Sequence, residues 1–326
     1  MPNLFSRLLM PLILSAAPVC CAHADWYSGA QDKMGTRVEV KLWHDDAVHA
    51  ERLVAAAMEE FDRIDAAMST YRADSEITHL NETAASKPVN ISPELFGLIE
   101  RAQRLSIMTN GAFDISYDSI GQLYDFRSGL RPAPEQIVTH LDTIDYRHVI
   151  LDRETLSIRF ARPGVRINLG GIAKGYAVER VIDLLRKAGV SHALATAGGD
   201  TRLLGDRGNG PWIVGIRDPD ERGDLVTKLA LRDEAISTSG DYERFFIEDG
   251  VRYHHILDPS TGRPIGHVRS VTIIGPDAVM TDGLSTSVFV LGPDAGLELI
   301  ESLDDYEALI VDAELRIRLS SGVDPR

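Results

Sequence analysis

From residue 147 to residue 274, short stretches with strand character follow one another almost without a break. They lie near 147–152, 155–160, 165–169, 192–197, 211–217, 225–232, 242–248, 251–257 and 269–274. One helical stretch interrupts them, roughly 172–188, with Ala177, Val181, Leu184 and Leu185 on one side. Strands joined by short turns pair antiparallel, whereas a parallel sheet needs a long crossover after each strand. The pattern predicts an α+β fold of mixed, largely antiparallel sheets with packed helices, not a doubly wound parallel sheet.

The flanking segments supply the helices. Val38, Val40 and Leu42 alternate within Thr36–Trp43, as in a half-buried strand. Residues 47–68 carry Val54, Met58, Phe61 and Ile64 at helical spacing, a core stripe. "MSTYRADSEITHLN" reads as a polar loop. Ser92-Pro93 opens a second helix with Leu95, Leu98, Ile99, Ala102 and Leu105 inward, and Asn110-Gly111 ends it. Helices near 279–291 and 294–303 precede closing strands near 306–312 and 315–319.

Residues 1–24 read as a cleavable export signal. Arg7 precedes an apolar run, Leu8 to Val19, that is too short to span a bilayer, and Ala22-His23-Ala24 is a cleavage site. Pro11 and Pro18 argue against an uncleaved anchor helix. There is no twin-arginine pair, and Val19-Cys20 lacks the small residue a lipoprotein box needs. The expectation is a soluble periplasmic protein, residues 25–326, built as one domain or two intimate subdomains. Both cysteines, Cys20 and Cys21, fall in the signal, so the mature chain has neither disulfides nor thiol chemistry. The net charge of −15 argues against nucleic acid or an anionic membrane as partner. A polyanionic ligand would need a metal ion or backbone N–H groups. No later segment approaches transmembrane length.

Four stretches carry candidate chemistry. "RINLGGIAKGYAVERV" is a glycine-rich turn into a helix N-terminus, with Lys174 as a mobile cation. It matches neither G-x-x-x-x-G-K-[ST] nor G-x-G-x-x-G, and a plain strand-to-helix turn remains open. In "AVMTDGLSTSVFVLG", Asp282 and Thr286 are four apart on one helix face. A carboxylate with a hydroxyl suits Mg²⁺, substrate oxygens and water completing the shell. Asp282 could instead serve the helix N-terminus. In "RYHHILDPSTGRP", His254 and His255 point to opposite strand faces, and either a general base or a structural histidine is open. In "AISTSGDYERFF", Ser237, Thr238 and Ser239 suit close ligand approach or a turn. There is no H-E-x-x-H, G-x-S-x-G or cysteine ligand set, which removes the usual zinc and serine hydrolases.

Taken in order, "MSTYRADSEI", "GAFDIS", "LGGIAKGYAV", "AGGD", "ISTSGDYERFF", "HHILDPSTGRP" and "MTDGLSTSVFVLG" resemble the ApbE-like FAD:protein FMN transferase family. The resemblance runs from Met34-Gly35-Thr36 to the helix containing Thr286. It implies an enzyme that uses FAD as substrate and Mg²⁺ as cofactor. Such an enzyme attaches FMN through a phosphoester to a serine or threonine of an acceptor protein and releases AMP. By the same resemblance, Asp282, Thr286 and the Gly171 carbonyl hold the metal, and His255 activates the acceptor hydroxyl. Met34, Tyr71, Ala112, Phe113, Asp114, Asn168, Lys174 and Ile256 match positions that contact FAD. Acceptors would resemble the FMN-carrying subunits of NADH:quinone reductases or Rnf-type complexes. Two features depart from the family: many members carry aspartate at the position of Asn168, and many are lipid-anchored. A periplasmic FAD pyrophosphatase and a non-catalytic FAD-binding protein are the rival readings.

Overall fold

The computed structural model describes residues 24–219 and 225–323, so the expected export signal lies outside the described residues except for Ala24. A hairpin of Asp25–Lys33 and Thr36–His44 begins an eight-stranded sheet. Its two-residue turn, Met34-Gly35, has φ of 53° and 69°, the double left-handed conformation of a type I′ turn. The sheet continues through Ala193–Ala197, Asp200–Leu204, Ala235–Gly240, Val268–Gly275, Glu307–Asp312 and Ile317–Leu319. Every neighbouring pair is antiparallel. The α+β expectation therefore holds.

The two faces of the sheet are covered differently. Val38, Val40 and Leu42 alternate onto one face, beside Ala193, Ala195 and Ala197. The small alanines let the helix Ala173–Lys187 lie close, flanked by the helices Ala47–Met68 and Ala278–Leu291. The intervening residues face the other way. Leu203, Ile236, Ile274 and Leu309 pack under the hairpin Trp212–Arg217/Leu225–Leu231. There the protein's three tryptophans meet: the Trp26 ring lies edge-on to Trp43 at 5.4 Å and to Trp212 at 5.3 Å.

The helix Ala278–Leu291 is the innermost element. Asp277 caps it, its Oδ1 accepting from the N–H groups of Val279 (2.9 Å) and Met280 (3.1 Å). Gly292, at φ 82°, ends it before Pro293. Nearly all its turns are buried, polar residues included. The helix Ala173–Lys187 crosses it at Gly175, where an added Cβ would stand 2.1 Å from the Ala278 carbonyl oxygen and 2.7 Å from Asp282 Cβ. Gly175→Ala should therefore force the two helices apart. We expect a loss of about 3 kcal/mol, at the upper end of overpacking effects, read as a lowered urea midpoint. An unchanged midpoint would mean that the crossing is not tight.

Three sequence expectations are corrected, and one strand lies outside those expected. Asp25–Lys33 is a strand although its residues do not alternate; its partner and the tight turn impose the conformation. Glu76–Thr83 is a short helix inside the expected polar loop, capped by Ser75 and anchored by buried Ile77 and Leu80. Residues 165–169 join no ladder, because side chains replace the partner strand. Asn81 bonds both backbone groups of Ile167 (2.8 and 2.9 Å), and Ser119 Oγ accepts from the Arg166 N–H (3.0 Å). Finally, Ser237, Thr238 and Ser239 lie within a central strand, not in a turn. Ser237 bonds Thr281 (2.9 Å) and Ser239 bonds Ser285 (2.7 Å), fastening the strand to the inner helix.

Candidate active site

Asp282 lies midway along the innermost helix and is almost fully buried. Its Oδ2 accepts the Gly175 N–H at 2.8 Å, so the carboxyl faces the N-terminal turn of the neighbouring helix, its positive end. Lys174 Nζ is 3.7 Å from Asp282 Oδ1 and forms its closer ion pair with Asp200. Asp200 is as buried as Asp282. Two buried carboxylates thus share one ammonium. Burial, reinforced by the Asp200 charge, pushes the Asp282 pKa up to about 7, against the pull of Lys174. Burial opposes the charge on Lys174, but Asp200 and Asp282 together raise its pKa.

This carboxylate pair is short of positive charge, and its surroundings offer hard oxygen donors. Thr286 is one turn beyond Asp282, its Oγ1 3.4 Å from Ser239 Oγ. Gly171 faces it: a Cβ on Gly171 would lie 3.3 Å from Thr286 Oγ1, in a space that the glycine leaves free. Among the described residues no cluster of three or more His, Cys, Asp or Glu gathers around a metal-sized point. A carboxylate, a hydroxyl and the bare Gly171 backbone make a mixed oxygen set instead, which fits Mg²⁺ better than a transition metal.

The two histidines separate cleanly. His254 Nε2 is 2.6 Å from the Ile265 carbonyl oxygen, and its Nδ1 faces the Ile256 N–H at 3.3 Å. Both ring nitrogens are occupied, with Nε2–H donating and Nδ1 accepting, so His254 is structural. His255 Nδ1 is buried and has no hydrogen-bond partner among the described residues. An unsatisfied buried ring nitrogen calls for a ligand. Burial, with nearby Arg244, His254 and Lys174, pushes the His255 pKa down to about 3. The ring is thus neutral with a free lone pair on Nδ1, while the same burial lowers its basicity.

The family model of ApbE matches residues 34–310. The chain belongs to the ApbE family. The FAD:protein FMN transferase of Klebsiella pneumoniae is 33% identical over 299 residues, 90% of this chain and 92% of that one. The FAD:protein FMN transferase of Treponema pallidum is 34% identical over 320 residues, 91% and 87% of the two chains. Among solved structures, the ApbE protein of Thermotoga maritima matches with a TM-score of 0.85 at 34% identity, covering 91% of this chain and 97% of that one.

The remaining residues that the ApbE resemblance singles out fall into two groups. Met34 sits in the left-handed turn, at an open depression of about 600 Å³ that Gly35, Arg37 and Arg127 also line. Tyr71 is 87% exposed, its ring free to meet a flat ligand. Ala112 is partly exposed. The others support the site from behind. Phe113 is buried against Gly171 and Gly283. Asp114 caps a short turn, accepting from Ser116 N–H (2.8 Å), Ser116 Oγ (2.6 Å) and Tyr146 N–H (2.7 Å). The Ile256 side chain is part of the core.

Asn168 has a structural reason within this ApbE chain. Its Oδ1 accepts the Gly170 N–H at 2.8 Å, and its Nδ2 donates to Thr70 Oγ1 (3.2 Å) and Asp118 Oδ1 (3.1 Å). Asp118 is buried and paired with Arg166 at 2.6 Å. Aspartate at 168 would turn a donor into a second anion facing Asp118. Asn168→Asp should therefore cost about 1–3 kcal/mol in urea denaturation at pH 7 and less at pH 5, where the pair can share a proton. Equal stability at both pH values, matching the parent chain, would refute this.

Two further side chains come close to the site through long-range folding. Asp200, in "AGGD", emerges only when the fold brings it to Lys174, 26 residues away in sequence. Arg244, in "GDYERFF", reaches the Gly35 carbonyl across 209 positions. The Gly198-Gly199 pair was the available signal for Asp200: a Cβ on Gly199 would stand 2.5 Å from the Thr238 carbonyl, so this turn is pressed into the sheet.

Proposed function

We propose that this protein is a Mg²⁺-dependent FAD:protein FMN transferase. It moves the FMN half of FAD onto a serine or threonine hydroxyl of an acceptor protein and releases AMP. The activity itself is the one named for its relatives. The observation that carries the finer reading is the Asp282 carboxyl. It is buried beside Asp200 with one lysine between them, one helical turn from Thr286, whose hydroxyl lies against a side-chain-free Gly171.

The acceptor hydroxyl oxygen forms a bond to the FMN phosphorus, and the bond from that phosphorus to the AMP oxygen breaks. The hydroxyl proton passes to neutral His255. Asp282, Thr286 and the Gly171 carbonyl would hold Mg²⁺, which supplies charge neutralisation for the diphosphate and for the departing AMP. Lys174 keeps Asp200 and Asp282 from repelling each other. Tyr71 offers a stacking face, and the Met34-Gly35 turn borders the entrance.

The setting follows from the remaining expectations. The chain is exported by its cleavable signal, and residues 25–326 form one catalytic domain. The acceptor is an exported or membrane-tethered redox protein of the kind found in NADH:quinone reductases or Rnf-type complexes. Among the described residues, no helix is long and apolar enough to cross a membrane.

The test is the intact mass of a candidate acceptor domain after incubation with the mature chain, FAD and Mg²⁺, with and without chelator. A chelator-sensitive gain of one FMN on serine or threonine is expected. AMP and free FMN released at the same rate with or without acceptor would favour the pyrophosphatase.

A further inference from the structure

Arg244 joins the proposed base to the turn at the rim of the site. Its carbonyl oxygen accepts the His255 N–H at 3.2 Å, which ties its backbone to the proposed base. Its guanidinium reaches to the opposite rim, where Nη2 lies 3.3 Å from the Gly35 carbonyl oxygen. The same nitrogen is 3.0 Å from where a Cβ on Gly35 would be. The left-handed turn thus leaves room for this one side chain.

Among the described residues the charge of Arg244 has no ion-pair partner. The neighbouring arginines are engaged: Arg252 and Arg269 both pair with Asp241 (3.0 and 2.9 Å), and Arg131 pairs with Glu248. Arg244 has no carboxylate within ion-pair distance among the described residues, although the chain carries a net charge of −15. Its field reaches His255, Lys174 and the Tyr117 hydroxyl. Two cations, Arg244 and Lys174, therefore approach the same histidine, and among the described residues no anion pairs with Arg244. A guanidinium fork matches phosphate oxygens and sheds its hydration more readily than an ammonium.

We infer that Arg244 binds the diphosphate of FAD beside His255 and Lys174, and so selects FAD over flavins that lack phosphate. The inference rests on the transferase reading. Arg244 contributes a charged fork to the diphosphate, distinct from the oxygen donors of Asp282 and Thr286. The Gly35 carbonyl holds the fork in place before the ligand arrives, which reduces the side-chain entropy lost on binding.

The test compares Arg244→Gln and Arg244→Lys with the parent mature chain. Binding of FAD and of riboflavin is followed by flavin fluorescence at several salt concentrations, and FMN transfer by intact mass. Arg244→Gln should weaken FAD about 10- to 100-fold, the scale of a lost charge-assisted contact. Riboflavin binding should be unchanged, the salt dependence of FAD binding should flatten, and the transfer defect should fall mainly in KM. Arg244→Lys should recover part of the loss. Unchanged FAD binding in Arg244→Gln would overturn the inference, as would an equal loss for FAD and riboflavin, which would mark a structural role at the Gly35 turn. In both cases transfer by the parent chain leaves the transferase reading standing. A parent chain that neither binds FAD nor transfers FMN would remove both.

Discussion

Asp282→Asn should reduce FMN transfer by about 10³-fold or more in kcat/KM while leaving the fold intact, the scale of losing a principal source of charge stabilisation. Asparagine has the shape of aspartate and can still accept the Gly175 N–H that now reaches Asp282 at 2.8 Å. What it removes is the anion. Calorimetric titration with Mg²⁺ gives a readout besides activity: the parent chain should show saturable binding and the variant none. Retained transfer at low Mg²⁺ would sink the assignment of Asp282 to the metal.

The same carboxyl sets a pH dependence. Burial and Asp200 raise the Asp282 pKa to about 7, so below that pH a proton competes with the cation. Apparent Mg²⁺ affinity should rise with pH up to about 7 and level off above it, with protons released on binding in the lower range. Stability runs the other way. The folded-state pKa lies above the unfolded one, so between about pH 4 and 7 the folded state holds a proton that the unfolded state has lost. The Asp282 contribution to stability therefore falls as pH rises through that window in metal-free protein. Mg²⁺ should recover the loss near pH 7 and above, and Asp282→Asn should flatten it.

His255→Ala should lower transfer by about 10²- to 10⁴-fold, the range for a general base, with FAD binding within a few-fold of the parent. Burial first, then the charges of Arg244, His254 and Lys174, hold the His255 pKa down to about 3. The free enzyme should then show no loss of kcat/KM from histidine protonation between pH 5 and 8. Any acid limb in that range belongs to Asp282 and should move to lower pH as Mg²⁺ is raised. A limb fixed near pH 6.5 at every Mg²⁺ concentration would contradict this arrangement. His254→Ala provides the contrast, because it deletes a buried bond to the Ile265 carbonyl and should show first as lost stability.

Local periodicity was enough to find some of this site. Asp282 and Thr286 share a helix face by spacing alone, and the alternation of Val38, Val40 and Leu42 announces a half-buried strand. Motif order points to His255 over His254, since strand faces alone leave the two open. The physical reason appears only in three dimensions, where Ile265 and Ile256 occupy both nitrogens of His254. The Asp200–Lys174 pair and the reach of Arg244 to Gly35 are likewise long-range, and no local pattern encodes them. Residues 165–169 follow the same rule: an apolar alternation signals extension, but only distant Asn81 reveals that a side chain has taken the partner strand's place.

The clustering of Trp26, Trp43 and Trp212 gives the molecule a built-in optical label. All of its indole emission comes from one seam at the sheet, where Trp26 and Trp212 pack on the hairpin face, opposite the helices that carry Asp282 and Lys174. Flavin bound at the proposed site would absorb and emit on its own account from the helix side. A single denaturation experiment followed in both colours therefore watches the two coverings of one sheet at once. Coincident transitions mean that the layers let go together. Indole light that changes before flavin is released means that the hairpin layer peels away from a site still able to hold its ligand.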